Sequence, residues 1–270
     1  MPLWDFKSIS DILGSIRQPI FPMKKYFILP LLLINSSLGG APVSSITWQS
    51  AQAITGDSDV KTNGSLLYAY NVGATGVSGT TVNSVAFLAY AFPANYNTNT
   101  VTVGSVAMTE IQPGYSLVSS NSLGGSSAPF TSLSSGYQTL LGSGGSSSQP
   151  ASVTVVFNGL TSGQQYLVQW WTNNSANGTI DGYLGLNNTT ATSSLNAVTL
   201  DANTTNVVGG LGQYVTGTFT ATGTSQSMSL AATGTDAPLI SAFQVRAVPE
   251  PSAALLGGFG LLALLRRRRN

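Results

Sequence analysis

Asp57, Asp59 and Asn63 place three hard oxygen donors within seven residues, the donor type that calcium takes. On an extended chain the two aspartates project to the same side. Turn chemistry or a capped loop start is the other role for such a pair. Lys61 stands where a calcium loop wants a further oxygen, and Gly64 is out of place for its sharp turn. Calcium is therefore the one cofactor these residue types leave open. Glycoside hydrolysis needs two carboxylates flanking a cleft. Asp57 and Asp59 are the close pair, and Glu110 has no visible partner. The chain has no His and no Cys, which removes the commonest general base, the commonest transition-metal ligand and any thiol nucleophile. A serine nucleophile in the body would have only Lys61 to activate it. These residue types point away from an enzyme, with a glycoside hydrolase as the distant alternative.

Carbohydrate contact would use an exposed aromatic ring with amide and hydroxyl neighbours. Adjacent residues of a strand face opposite sides, so Trp170 and Trp171 must part company. Trp170 shares a face with Tyr166 and Val168 and is assigned to the core. Trp171 shares a face with Gln165 and Gln169 and is the candidate carbohydrate platform, with packing beneath a loop as its alternative role.

The elements that would hold these residues are strands. Between Ile46 and Val248 the composition is Gly, Ser, Thr, Asn, Val and aromatic residues, with Glu, Lys and Arg nearly absent, so long amphipathic helices are not expected. Val153, Val155 and Phe157 alternate with Ser152 and Thr154, and Met228 and Leu230 alternate with Ser227 and Ser229. Asn158-Gly159, Asn177-Gly178 and Thr161-Ser162-Gly163 supply turns between such runs. The pattern predicts an all-β, antiparallel sandwich with strands near 46–54, 66–72, 83–92, 100–109, 151–158, 164–171, 195–201, 213–221, 226–232 and 239–247. Residues 121–150, with their Gly and Ser clusters, read as a long exposed loop or flexible insertion, with weak strands around Phe130 and Tyr137 as the alternative.

Only 7% of the 270 residues are charged, and the charges are segregated. Lys61 and Arg246 are the only basic residues between Ile46 and Val248, against six acidic ones, so this body carries a net charge of −4. Such a body has nothing with which to neutralise phosphates, and nucleic acid is not an expected partner.

The two ends read as targeting segments. Lys24 and Lys25, the apolar Phe27–Ile34 and the small residues Ser37–Gly40 follow the order of a secretory signal. Residues 1–45 form this signal region, with Met23 as the expected true start and cleavage expected between Gly39 and Ser45. Residues 46–247 form the sandwich. Residues 248–270 form a tail with three parts: Val248, Pro249, Glu250 and Pro251; the apolar run from Ala253 to Leu265; and Arg266, Arg267, Arg268 and Arg269. A helix over that run would be a short transmembrane helix of about 20 Å against a hydrocarbon core of roughly 30 Å, a gap that thinning and snorkelling arginines reduce. Four arginines favour the cytoplasmic side and place the body outside.

That three-part order resembles the PEP-CTERM sorting domain. The resemblance implies an exported protein recognised by exosortase, a membrane peptidase-transpeptidase acting near Pro249-Glu250-Pro251. It implies a transient hold in the inner membrane, then a cell-surface or matrix location beside exopolysaccharide or biofilm. The body resembles galactose-binding-like β-sandwich modules of exported proteins at Gly56–Val60, Leu66–Asn71, Val82–Phe87, Gly159–Tyr166, Gly212–Phe219 and Ser241–Arg246. This second resemblance implies a jelly-roll-like architecture but not sugar binding. Two functions follow as expectations, a structural or adhesive surface protein and a non-catalytic carbohydrate-binding module.

Overall fold

Short runs of β-branched and aromatic residues, broken by Gly and Asn, leave the strand as the state that buries most apolar surface. A computed structural model describes residues 45–93, 99–111, 115–148, 152–177, 188–193, 196–232 and 237–249. The chain divides into two compact units, Met1–Gly39 and Gly40–Asn270, and every described residue lies in the second. The signal segment through residue 44 and the tail from Glu250 onward, with its transmembrane run and arginines, lie outside the described residues. Among the described residues no helix is long and apolar enough to cross a membrane.

The first half of the chain forms β1 (Thr47–Trp48), β2 (Gln52–Ala53), β3 (Ser65–Ala74), β4 (Thr80–Val82), β5 (Val85–Phe92), β6 (Thr100–Val103), β7 (Val106–Glu110) and β8 (Leu117–Ser120). Then come the helix α1 (Ser135–Leu141), β9 (Gly144–Ser147), β10 (Ser152–Asn158), β11 (Gln165–Thr172), β12 (Asn188–Ser193) and β13 (Asn196–Asp201). The last strands are β14 (Gln213–Thr220), β15 (Ser225–Ala232), β16 (Leu239–Ile240) and β17 (Ala242–Val248).

These strands build an eight-stranded sheet in the order β1-β14-β11-β17-β3-β5-β4, with β2 also on β14. A six-stranded sheet runs β13-β12-β15-β10-β7-β6, and a small third sheet runs β16-β9-β8. The two large sheets share one core. Tyr68, Tyr70, Tyr90, Trp170 and Phe243 from the first meet Met108, Val155, Phe157 and Leu230 from the second. Tyr70 and Tyr90 lie edge to face at 5.5 Å, and Tyr68 and Phe157 are 6.1 Å apart. The all-β sandwich expected from the alternation is thus present, with Trp170 in its core.

Three expectations need correction. The sheets are not wholly antiparallel, because β3 and β5 pair in parallel. The cause is β4, which leaves β3 through a loop and hairpins onto the outer edge of β5 through Asn83 and Ser84, both at positive φ. The segment expected as one strand over 100–109 is a hairpin, β6 and β7, turning at Gly104, whose φ is +56°.

The third correction is the largest. Over its described part, 121–148, the segment expected as a loop is not an exposed loop, and it does not form weak strands at Phe130 and Tyr137. It contains a 3-10 turn at Phe130–Ser132, α1 and β9. Ser134 caps α1, its hydroxyl accepting from Tyr137 N at 3.2 Å. Phe130, Tyr137, Leu140 and Leu141 are buried and pack on the outward face of the eight-stranded sheet against Phe87, Trp171 and Ala242. The glycines that read as flexibility serve close approach: a Cβ on Gly145 would collide with the Phe92 ring.

Candidate functional site

The outward face of β11, β17 and β3 is where the carbohydrate and calcium candidates, Trp171, Asp57, Asp59 and Asn63, are found. Residues 54–64 run across it as a strap, and α1 covers its other part. Beneath α1 lies Trp171, fully buried. Its indole N–H donates to Tyr137 Oη at 2.9 Å, and its ring meets Phe87 edge to face at 5.8 Å. A ring enclosed on this scale offers no face to a sugar, so Trp171 as a carbohydrate platform is overturned. Its role is packing under the covering segment.

The calcium candidates do not converge either. Asp59 is buried and turns its carboxylate inward, where it accepts from Thr55 N and Thr55 Oγ1 at 2.7 Å, Gly56 N at 3.0 Å and Tyr137 Oη at 3.1 Å. Asp57 turns toward α1 and accepts from Ser134 Oγ at 2.6 Å. Asn63 offers its backbone carbonyl to Arg246 Nε at 2.9 Å. The two aspartates sit in a 3-10 turn rather than an extended chain, so they point apart. Among the described residues no cluster of three or more His, Cys, Asp or Glu could hold a metal ion.

Burial pushes the Tyr137 phenol well above its ordinary value, and the Asp59 carboxylate raises it further. The hydrogen bond from Trp171 works in the opposite direction. Tyr137 therefore stays neutral and serves as the link between a carboxylate and an indole.

A polar ladder fastens the rest of the strap. Gln169 Nε2 donates to Asp59 O at 2.7 Å, and its Oε1 accepts from Lys61 N and Gln244 Nε2. Arg246 is 6% exposed and donates to the carbonyls of Thr62, Asn63 and Gly64 at 2.8–2.9 Å. Burial lowers its pKa from the ordinary arginine value. The side chain spends its positive charge on backbone oxygens, fixing a segment rather than presenting a site.

Beside α1 the covering layer leaves a cleft of about 520 Å³ between the β3–β4 loop, residues 121–124 and the helix. Asn71, Ser78, Asn121, Ser135, Gln138 and Thr139 are among its lining, and no charged residue is. Asn71 anchors the floor, donating to Ser78 O at 2.9 Å and accepting from Ser143 Oγ at 3.0 Å. Asn121 Oδ1 accepts from Ala74 N at 2.9 Å and pins the opposite wall. Sequence reasoning missed this cleft. The signal it held was Asn71, a carboxamide near the end of the otherwise apolar and aromatic run Leu66–Val72.

The fold is an all-β sandwich whose last strand leads directly into a tail. Residues 247–269 match the family described as the PEP-CTERM protein-sorting motif. That motif implies an exported protein, held in a membrane at its C-terminus and processed by exosortase. No curated protein and no solved structure matches the chain. The galactose-binding likeness of the body rests on its sequence passages alone.

Proposed function

We propose that this is a non-enzymatic exported protein with a structural or adhesive role at the cell surface or in an exopolysaccharide matrix. The observation that carries the reading is the sorting motif, matched over 247–269 and joined to the sandwich without a linker, since Val248 is both the last residue of β17 and the first of the tail. The candidate acidic residues are used to build the strap, which supports a scaffold rather than a hydrolase. A surface so poor in charge yet rich in hydroxyl and carboxamide groups suits residence in a hydrated polysaccharide.

Intact mass of the protein recovered from cells with and without the sorting peptidase tests the destination. The expected result is a chain ending near Val248–Ser252 only when the peptidase is present. A mass that still includes Arg266–Arg269 in both strains would make the tail a plain anchor and remove the matrix assignment.

The cleft beside α1 favours a second reading, a non-catalytic module for a neutral carbohydrate. Its lining pairs uncharged donors and acceptors with the edge of Phe130, the mixture that holds a polyhydroxylated ligand. Calorimetric titration with neutral polysaccharide should give saturable heat, and Ser78→Trp, placed at an exposed rim position, should weaken binding by roughly tenfold or more. No heat with the native protein, or equal affinity in the variant, would exclude the cleft.

A further inference from the structure

The ends of the strands distinguish two poles of the sandwich. Val248 pairs with Gln165 at the start of β11, and Ser65 at the start of β3 pairs with Ala247. At the other pole, Thr172 ends β11 opposite Gln213, and the loop after β13 carries Val207. The tail therefore leaves from the pole that holds Gly64, Ser65, Leu66 and Leu67.

Two observations at that pole point to lipid. Only Pro249–Ser252 separate Val248 from the apolar run beginning at Ala253. The five Cα–Cα steps from Val248 to Ala253, fully extended, reach at most about 18 Å. While the tail is embedded, the pole cannot stand farther from the membrane than this. Second, the same pole exposes two adjacent large apolar side chains, Leu66 at 39% and Leu67 at 40%. They fall where the β3–β17 register shifts, so that Arg246 pairs with Leu66 and Val245 with Tyr68, leaving Leu67 as the extra residue of a bulge. A bulge at a sheet end re-aims side chains outward. Lys61, one of the body's two basic residues, is held over the middle of the sheet by Gln169 and Gln244, and Arg246, the other, lies two residues before Val248 at the exit pole. Glu110 and Asp201 close their strands at the other pole, Glu110 opposite Val153 and Asp201 beside Gln213.

We propose that, before the tail is cut, the Leu66–Leu67 bulge rests in the lipid interface and orients the sandwich with its β17 exit facing the membrane. The occupant of this apolar surface is the bilayer itself. The proposal rests on the membrane-anchoring reading of the tail and adds a defined face and orientation to it. A four-residue tether limits height alone; the leucines would set which way the body leans.

The chain contains no cysteine, so single-cysteine variants of the full chain carry a fluorophore at one place. Leu67→Cys reports on the bulge. Val207→Cys, 53% exposed at the other pole, is an equally apolar control. Each labelled chain is reconstituted into phosphatidylcholine–phosphatidylglycerol vesicles containing nitroxide-labelled lipid, and flotation reports anchoring separately. The expected result is flotation of both, with quenching at Leu67 at least about twofold that at Val207. Flotation with equal quenching at both sites, or with none at Leu67, would overturn the docked face while leaving the anchor intact. Failure of both variants to float would remove the anchor, and the docked face with it.

Discussion

Above about pH 10 the sandwich should lose stability at roughly 4 kcal/mol per pH unit, because three buried tyrosines keep their protons while the unfolded chain releases them. Tyr68 is shifted upward from 10.0 chiefly by burial, with added repulsion from Tyr70 and Tyr166. Burial raises Tyr90 as well, assisted by Tyr70 and partly offset by a backbone hydrogen bond at Met108. Tyr137 is raised by burial and then by Asp59. Below pH 10 both states hold these protons and the contribution is fully present. Above it the unfolded state binds fewer protons than the folded state, so unfolding gains free energy at about 1.4 kcal/mol per unit for each such group. Urea unfolding followed from about pH 8 to 12, alongside phenolate absorbance, measures the slope. Tyr68→Phe should remove one third of it and cost little near neutral pH, since the Tyr68 hydroxyl is buried without a hydrogen-bond partner among the described residues. A flat profile, with phenolate appearing before unfolding, would mean that these rings reach solvent in the folded state.

Replacing Trp171 with Ala should cost about 3–5 kcal/mol and lower the melting temperature by roughly 10 °C. The indole fills the space between the sheet and α1, touching Phe87 and Tyr214 and bonding Tyr137, so its loss leaves a cavity and takes one of the two hydrogen bonds of the Tyr137 hydroxyl, the bond to Asp59 remaining. A residue presented to a ligand would behave in the opposite way, with binding lost and stability nearly unchanged. Thermal unfolding of the variant decides between these roles. A shift of under about 2 °C would restore the exposed platform and contradict the covering of this face.

Trp170 and Trp171 also mark how far the sequence could be read. Alternation tells which side of a strand a residue takes, and it correctly placed Trp170 with Val168 and Tyr166. It cannot tell what lies over the other side. The cover comes from Phe130, Tyr137, Leu140 and Leu141, spaced through a Gly- and Ser-rich segment whose average composition hides them. The same limit applies to Asp57 and Asp59. Their spacing gives parallel side chains only if the chain is extended, and a three-residue 3-10 turn sends them to different partners. The cleft was hidden for a related reason, since its walls come from positions as distant as Asn71 and Gln138. The long strands were legible because they alternate strongly, whereas the short or polar β4, β8, β9 and β12 were not, the run over 46–54 is two short strands, and Gly104 divides another run into a hairpin.

The position of β17 has a mechanical consequence. It lies inside the eight-stranded sheet, bonded to β11 on one side and β3 on the other, and the tail continues from its end. Tension applied through the C-terminus therefore enters along a central strand and loads both ladders in shear, many hydrogen bonds at once, rather than peeling an edge strand one bond at a time. Arg246, two residues from that end, adds a crosswise fastening to Thr62, Asn63 and Gly64. A body tethered by this terminus would resist drag from flow or from a moving matrix in its strongest direction.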